Sequence, residues 1–205
     1  MIIEVSINSC WEKAMKYYLN NAYSQNICGK ELMILDNLTV QINNYLIESQ
    51  LSGFCPWKIN SREYYVSQIT SPGKYSEMSR LYSYGCNKVN QYEYLINAIK
   101  KRKNIKPIVI QIFDPYKDNR DNIPTPCISN IVVSTNNGVV NMYVSYTTMN
   151  LFRIGLLDYH QMAFLHQQIA RDSLKKVGYL RIFVAQVYMP VFDYYISKQI
   201  FSEAK

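Results

Sequence analysis

Histidine, paired cysteine and long apolar runs are what this sequence lacks. Only two histidines occur, His160 and His166, and the five cysteines (Cys10, Cys28, Cys55, Cys86, Cys127) are widely spaced with no Cys-x-x-Cys pair. A structural zinc site draws its ligands from close pairs, so no metal is expected. The odd number of cysteines argues for reduced thiols, mostly buried, rather than a disulfide framework. No run of roughly 18 apolar residues exists, so no membrane-spanning helix is expected. Met1-Ile2-Ile3-Glu4-Val5 lacks the basic start and apolar core of a secretory signal, and a cytoplasmic protein is the expectation. Also missing are internal repeats and any Pro/Gly-rich linker, so 1–205 reads as a single domain. Charged residues make up 18% against 48% hydrophobic, which excludes disorder and leaves ample material for a packed core.

Positive charge and tyrosine are abundant: the net charge is +7 and there are 19 tyrosines. The densest basic run, Lys100-Lys101-Arg102-Lys103 followed by Lys106, is compatible with a nucleic-acid-binding module. A cationic helix C-terminus, favoured by the helix dipole and by solvation, explains the same run. Tyrosines spread along the whole chain suit ordinary core and surface use. Nucleic acid is therefore the less favoured partner, and a phosphorylated small molecule also suits a mildly basic protein.

Apolar positions at helical spacing (Trp11, Ala14, Met15, Tyr18, Leu19) predict an amphipathic helix from about Ser9 to Ala22. Glu31 to Ile42 reads as strand. Gln50 to Asn90, punctuated by Gly53, Pro56, Pro72, Gly73 and Gly85, is mostly loop with a short helix near Arg62 to Ile69. Gln91 to Lys103 predicts a helix with cations at its end. Pro107 opens a buried strand, Ile108 to Phe113, which Asp114-Pro115 stops before a polar loop from Tyr116 to Pro126. Cys127 begins a strand to about Ser134. Asn136-Asn137-Gly138 supplies the positive φ angles of a tight hairpin turn, and the partner strand runs from Val139 to Tyr146. A helix (Leu157 to Ala170), a strand (Gly178 to Tyr188) and an amphipathic helix (Val191 to Phe201) close the chain. This order predicts an α+β domain, with a mixed or antiparallel sheet packed with helices.

The segment Ile108 to Tyr188 resembles the catalytic half of thymidylate synthase and of the related cytidylate hydroxymethylases. The residues that carry the likeness are the helix Gln91 to Lys103, the strand ending in Asp114-Pro115, Pro126-Cys127 opening the next strand, the Asn136 to Gly138 hairpin and the helix Leu157 to Ala170. The likeness runs without gaps from Cys127 to Ala170 and fades upstream of Tyr84-Gly85. It implies that Cys127 is a nucleophile adding to C6 of a pyrimidine, so that C5 becomes a carbon nucleophile. C5 then takes a one-carbon unit from 5,10-methylenetetrahydrofolate, and the thiolate leaves. A thiolate suits both roles, as nucleophile and as leaving group. The alternative for Cys127 is a small buried residue at the start of a strand.

By the same resemblance, Asp158 falls where the family reads the pyrimidine edge. The synthases carry Asn there and the hydroxymethylases Asp, which implies a cytosine-like ring. A carboxyl accepts from the exocyclic amine and, if protonated, also serves the ring nitrogen. Asp158 is equally a helix N-terminal acid favoured by the dipole. Tyr188 matches a tyrosine that bonds the sugar hydroxyl, and Gln186 stands where the family has histidine. The phosphate-binding arginine is replaced by Thr147, beside Thr148, and the arginine pair normally supplied by a partner subunit reads Lys106-Pro107. Arg153 is a further cation for that region. Asn150 stands where an Asp usually serves the pterin, Ile154 replaces a glycine, and neither Glu48 nor Glu63 sits in the family's glutamate context.

The expectation is a homodimeric, cysteine-dependent methyl- or hydroxymethyltransferase acting at C5 of a cytosine-like nucleotide or nucleoside, in specialised metabolite biosynthesis. The alternatives are a non-catalytic binding or partner protein of the same fold and a basic nucleic-acid-binding module.

Overall fold

The computed structural model describes residues 1–43, 45–73, 76–102, 104–119 and 125–203. In chain order the elements are β1 (Ile2–Glu4), α1 (Ile7–Asn21), β2 (Tyr23–Ile27), β3 (Lys30–Asn43), α2 (Ile59–Thr70), a 3-10 turn (Glu77–Leu81), α3 (Gln91–Lys100), β4 (Ile105–Gln111), the one-turn α4 (Pro115–Asp118), β5 (Ile128–Asn136), β6 (Val139–Asn150), a π turn (Leu151–Gly155), α5 (Leu156–Asp172), β7 (Lys176–Pro190) and α6 (Val191–Ser202). The strands make one sheet in the order β1-β3-β7-β6-β5-β4, with β2 folded back on β3. β1 runs parallel to β3 and β6 parallel to β7, and the other neighbours are antiparallel. The protein is thus α+β, with a mixed sheet packed with helices.

Most elements sit where periodicity puts them, and the differences have local causes. The Asn137-Gly138 turn takes φ of 50° and 78°, the left-handed pair that a two-residue hairpin requires. Cys28-Gly29 makes a second turn of this kind, with φ of 51° and 79°, and creates the β2–β3 hairpin that the sequence reading passed over. Pro107 does not open β4, which starts at Ile105, and β4 is not a buried strand: it is the sheet edge, with only Ile110 fully buried. An edge strand tolerates proline because one row of its amides faces away from the ladder, and the pairing skips between Ile105 and Ile108. The expected helix ends at Lys100; Lys103, and 120–124 of the expected loop, lie outside the described residues.

Helix α5 organises the interior. Its buried positions run all round the helix, from Leu156 and Leu157 through Tyr159, Met162 and Leu165 to Ile169. A helix buried on every side, with polar residues such as Gln161 and His166 among the apolar ones, is one covered on every side. It lies between the β6–β7 part of the sheet and helices α1 and α2. His166, fully buried on α5, donates Nε2–H to the Val140 carbonyl at 2.9 Å and accepts the Tyr45 hydroxyl at Nδ1 over 2.7 Å. Burial depresses its pKa to about 4, so the ring is a neutral structural bridge. Trp11 on α1 reaches the opposite end of α5, donating its indole N–H to the Leu151 carbonyl at 2.8 Å.

Three adjacent strands slip together. Along β7 the buried positions change from Leu180, Ile182 and Val184 to Val187 and Met189. Along β6 they change from Met142, Val144 and Tyr146 to Met149, and β3 does the same around Asn37, whose φ is 60°. The slips lie side by side, since Asp36 pairs with Gln186 and Gln186 with Thr148, so register survives the bend. The sheet surface away from the buried rows carries Val109, Val132, Tyr143, Arg181 and Phe183. There the Arg181 guanidinium lies 5.6 Å and 5.4 Å from the Tyr143 and Tyr179 ring centres.

Gly178 on β7 leaves no room for a side chain against β6. A Cβ there would stand 2.6 Å from the Val140 carbonyl oxygen and 2.2 Å from Asn141 Oδ1. Backbone cannot yield as a flexible side chain does. Gly178→Ala is expected to destabilise the protein by roughly 1–3 kcal/mol, measured by urea denaturation. An unchanged midpoint and slope would show that β6 and β7 part at no cost.

Candidate active site

Cys127 is held from two sides. Its backbone N–H donates to Glu77 Oε1 at 2.8 Å, and the next amide, Ile128 N–H, donates to Glu77 Oε2 at 3.2 Å. On the β6 side, the Cys127 carbonyl accepts the Thr147 amide at 2.8 Å and the Thr147 hydroxyl at 3.1 Å. The Glu77 turn is itself pinned. Arg80 makes a bidentate pair with Asp118 at 2.6 and 2.7 Å, and Ser76 caps the first residues of the turn. The two-pronged pair fixes direction as well as distance. The thiol is therefore positioned through the backbone at the entry to β5.

Beside it lies a cavity of about 230 Å³. Its lining includes Glu77, Cys127, Tyr146 and Asp158, with Tyr64, Tyr65 and Gln161. Asp158 is buried in the first turn of α5, and among the described residues no hydrogen bond reaches its carboxyl. Burial, with the Glu77 charge as a second cause, pushes its pKa well above the carboxylate range. Burial also raises Glu77, against the two amides that favour its charged form. Two acids facing one cavity share a cost of ionisation. Glu77 holds the charge better because it has donors, so Asp158 keeps the proton and can donate and accept. Among the described residues, the fully buried Tyr146 hydroxyl has no hydrogen-bond partner.

The same acids act on the nucleophile. Burial first, then Glu77 and Asp158, raise the Cys127 thiol to about 11, and a hydrogen bond from Thr148 works in the other direction. The resting group is the thiol, and a thiolate forms only when charge nearby is removed or its proton is taken.

The structure brings together Cys127, Asp158 and Thr148. Tyr188 is close enough for the thiolate to raise its phenol, after burial as the larger cause. Gln186 pairs with Thr148 along the strands and points its amide to Asp36 at 3.4 Å. Thr147 is exposed and engaged with the Cys127 and Pro126 carbonyls. Asn150 caps the π turn, accepting the Arg153 amide at 3.0 Å. Arg153 itself forks onto Asp193, with Nε to Oδ2 at 2.9 Å. Lys106 is not at the cavity of its own chain: it stands at the Thr135 end of β4–β5, while Cys127 precedes the other end, roughly 20 Å away at about 3.3 Å per strand residue. Of the glutamates considered from sequence, Glu48 caps α1, accepting the amides of Ile7 and Asn8 at 3.1 Å, and Glu63 is exposed. Glu77 was missed. It is the only other acid between Gln50 and Asn90, which was the available signal. Among the described residues, no group of three His, Cys, Asp or Glu side chains is arranged to hold a metal ion, and no helix is long and apolar enough to cross a membrane.

Alkylation of the Cys127 peptide, followed by mass spectrometry across pH, is expected to rise towards a midpoint near 11. Glu77→Gln removes a negative charge beside the sulfur and lowers that midpoint; a midpoint near the ordinary value of about 8.5 in the wild type would contradict this electrostatic picture. Neither protein-family models nor curated proteins match this chain.

Proposed function

We propose that the protein is a cysteine-dependent transferase that delivers a one-carbon unit to C5 of a cytosine-like ring. The observation that carries this reading is the shared cavity of a backbone-positioned Cys127, Glu77 with both oxygens on backbone amides, and a buried Asp158 whose pKa is pushed well above the carboxylate range. A protonated carboxyl offers O–H to the ring nitrogen and C=O to the exocyclic amine, the complement of an aminopyrimidine edge. In this reading Glu77 takes the Cys127 proton, which lowers the repulsion that holds the thiol up. The sulfur then bonds to C6 and the C5–C6 π pair moves to C5. Protonation of C5 by solvent and reversal of the addition exchange the C5 proton without net reaction.

An adjoining cavity shares Tyr64 and Tyr65 and adds Trp57 and Leu157, with Asn60 and Ser61 as polar groups. Its flat aromatic walls fit a pterin ring, and a reduced folate there would supply the one-carbon unit. The cofactor side is thus better matched by these residues than by Asn150, whose side chain is engaged at the π turn. A second reading is a binding protein that keeps the cavity without the covalent step, and the thiol pKa of about 11 favours it.

Exchange of the C5 proton with solvent separates the two. Cytosine, cytidine and their phosphates, with uracil counterparts, are incubated with protein and folate. Cys127-dependent exchange, lost by at least a hundredfold in Cys127→Ser, is expected. Exchange that survives in the variant, or never occurs, removes the transferase reading.

The uncovered sheet surface supports a homodimer. Val109 is 49% and Phe183 38% exposed there, an apolar area on the open face of the sheet. Light scattering is expected to give twice the 24.0 kDa chain mass, and Phe183→Asp to shift it to one chain. A wild-type monomer at micromolar concentration would rule the dimer out.

A further inference from the structure

We infer that the Cys127 cavity takes an unphosphorylated ring, a free aminopyrimidine or its nucleoside, and that Tyr146 is a specificity-determining contact to it alongside Asp158. The inference rests on the transferase reading of the same cavity and narrows its substrate.

Charge is the first ground. Among the described residues no lysine or arginine lines the cavity, which instead holds two acids. The arginines that might have turned towards it are committed elsewhere. Arg80 is held by Asp118, Arg153 by Asp193, and Arg62 donates to the Glu48 carbonyl. A phosphate monoester brings roughly −1.5 to −2 charges at neutral pH and binds through charge-assisted donors. Set beside Glu77, it would find repulsion and the hydroxyls of Thr147 and Thr148. A single lysine such as Lys106, reaching across from a second copy, would be one cation beside the half-buried Glu77 carboxylate.

Size is the second ground. The cavity of about 230 Å³ falls below the roughly 300–1,000 Å³ of ordinary ligand pockets. That volume suits a ring with at most a sugar.

The third ground is the unpartnered phenol. Tyr146 lines the cavity from β6, just before the level where three strands slip, and its buried hydroxyl has no partner among the described residues. A buried polar group without a partner costs about 1–3 kcal/mol. A ligand edge that supplies the partner recovers it, so the tyrosine discriminates for rings that can bond it. Asp158 lines the same cavity, and the two together match a ring presenting nitrogen and amine or carbonyl on adjacent positions.

Equilibrium binding to Cys127→Ser, which keeps the cavity but cannot form the thioether, tests this apart from the chemistry. Titration calorimetry would compare cytosine, cytidine, deoxycytidine and the two 5′-monophosphates. The phosphate-free ligands are expected to bind at least about tenfold more tightly than the monophosphates, with cytosine against cytidine showing whether the sugar belongs. Adding Tyr146→Phe, which removes only an unbonded hydroxyl and so leaves the fold intact, is expected to weaken that binding by about tenfold. Equal or tighter binding of the monophosphates overturns the inference and leaves the transferase reading standing if C5 exchange occurs. Undiminished binding in Tyr146→Phe, or no binding by any of the five, also overturns it. Exchange by the wild-type protein then decides separately whether the wider reading falls too.

Discussion

Glu77 accepts the amides of Cys127 and Ile128 from a turn fifty residues earlier in the chain, and the cavity depends on that contact. A carboxylate taken out of water is costly unless donors surround it. Here two backbone amides supply them, and the Arg80–Asp118 pair holds the turn that presents the acid. The start of β5 is thus fixed from outside the sheet, and Cys127 is fixed with it. The same charge has consequences nearby. It helps to keep Asp158 protonated and Cys127 as a thiol, so the positioning of the nucleophile and its restraint have one origin.

The rest of the site follows from how the sheet bends. Where β3, β7 and β6 slip side by side, Tyr146 ends one buried row and Met149 begins another. The two threonines between them turn their polar atoms to Cys127: Thr147 to its carbonyl, Thr148 to its sulfur. Helix α5 enters this region through a π turn capped by Asn150, which sets Asp158 facing Glu77 across the cavity. Positions that resemblance assigns to phosphate and pterin therefore have structural work in this chain. Asn150 caps, Thr147 ties strands and Arg153 pairs with Asp193.

Much of the architecture could be read in the sequence, because periodicity and turn chemistry are local. The amphipathic spacing from Trp11 to Leu19, the Asn137-Gly138 turn and the alternation along β6 and β7 each specify their element within a few residues. The hairpin at Cys28-Gly29 was harder to see because β2 is almost wholly exposed and carries no inside–outside pattern. β4 was misjudged as buried because its run of isoleucine and valine reads the same at an edge as in a centre.

The sequence by itself determined the α+β class and most of the longer elements, and it singled out Cys127 and Asp158, which line one cavity. Both belong to the stretch where local signals are dense, from Cys127 to Ala170. Tertiary structure alone decided the partner of Cys127, the protonation of Asp158 and the character of the cavity. Glu77 lies in a segment with no periodic pattern, and nothing near it in the chain betrays that it will meet β5. Protonation is a property of surroundings: burial and the facing acid set it, and neither is encoded at the aspartate itself.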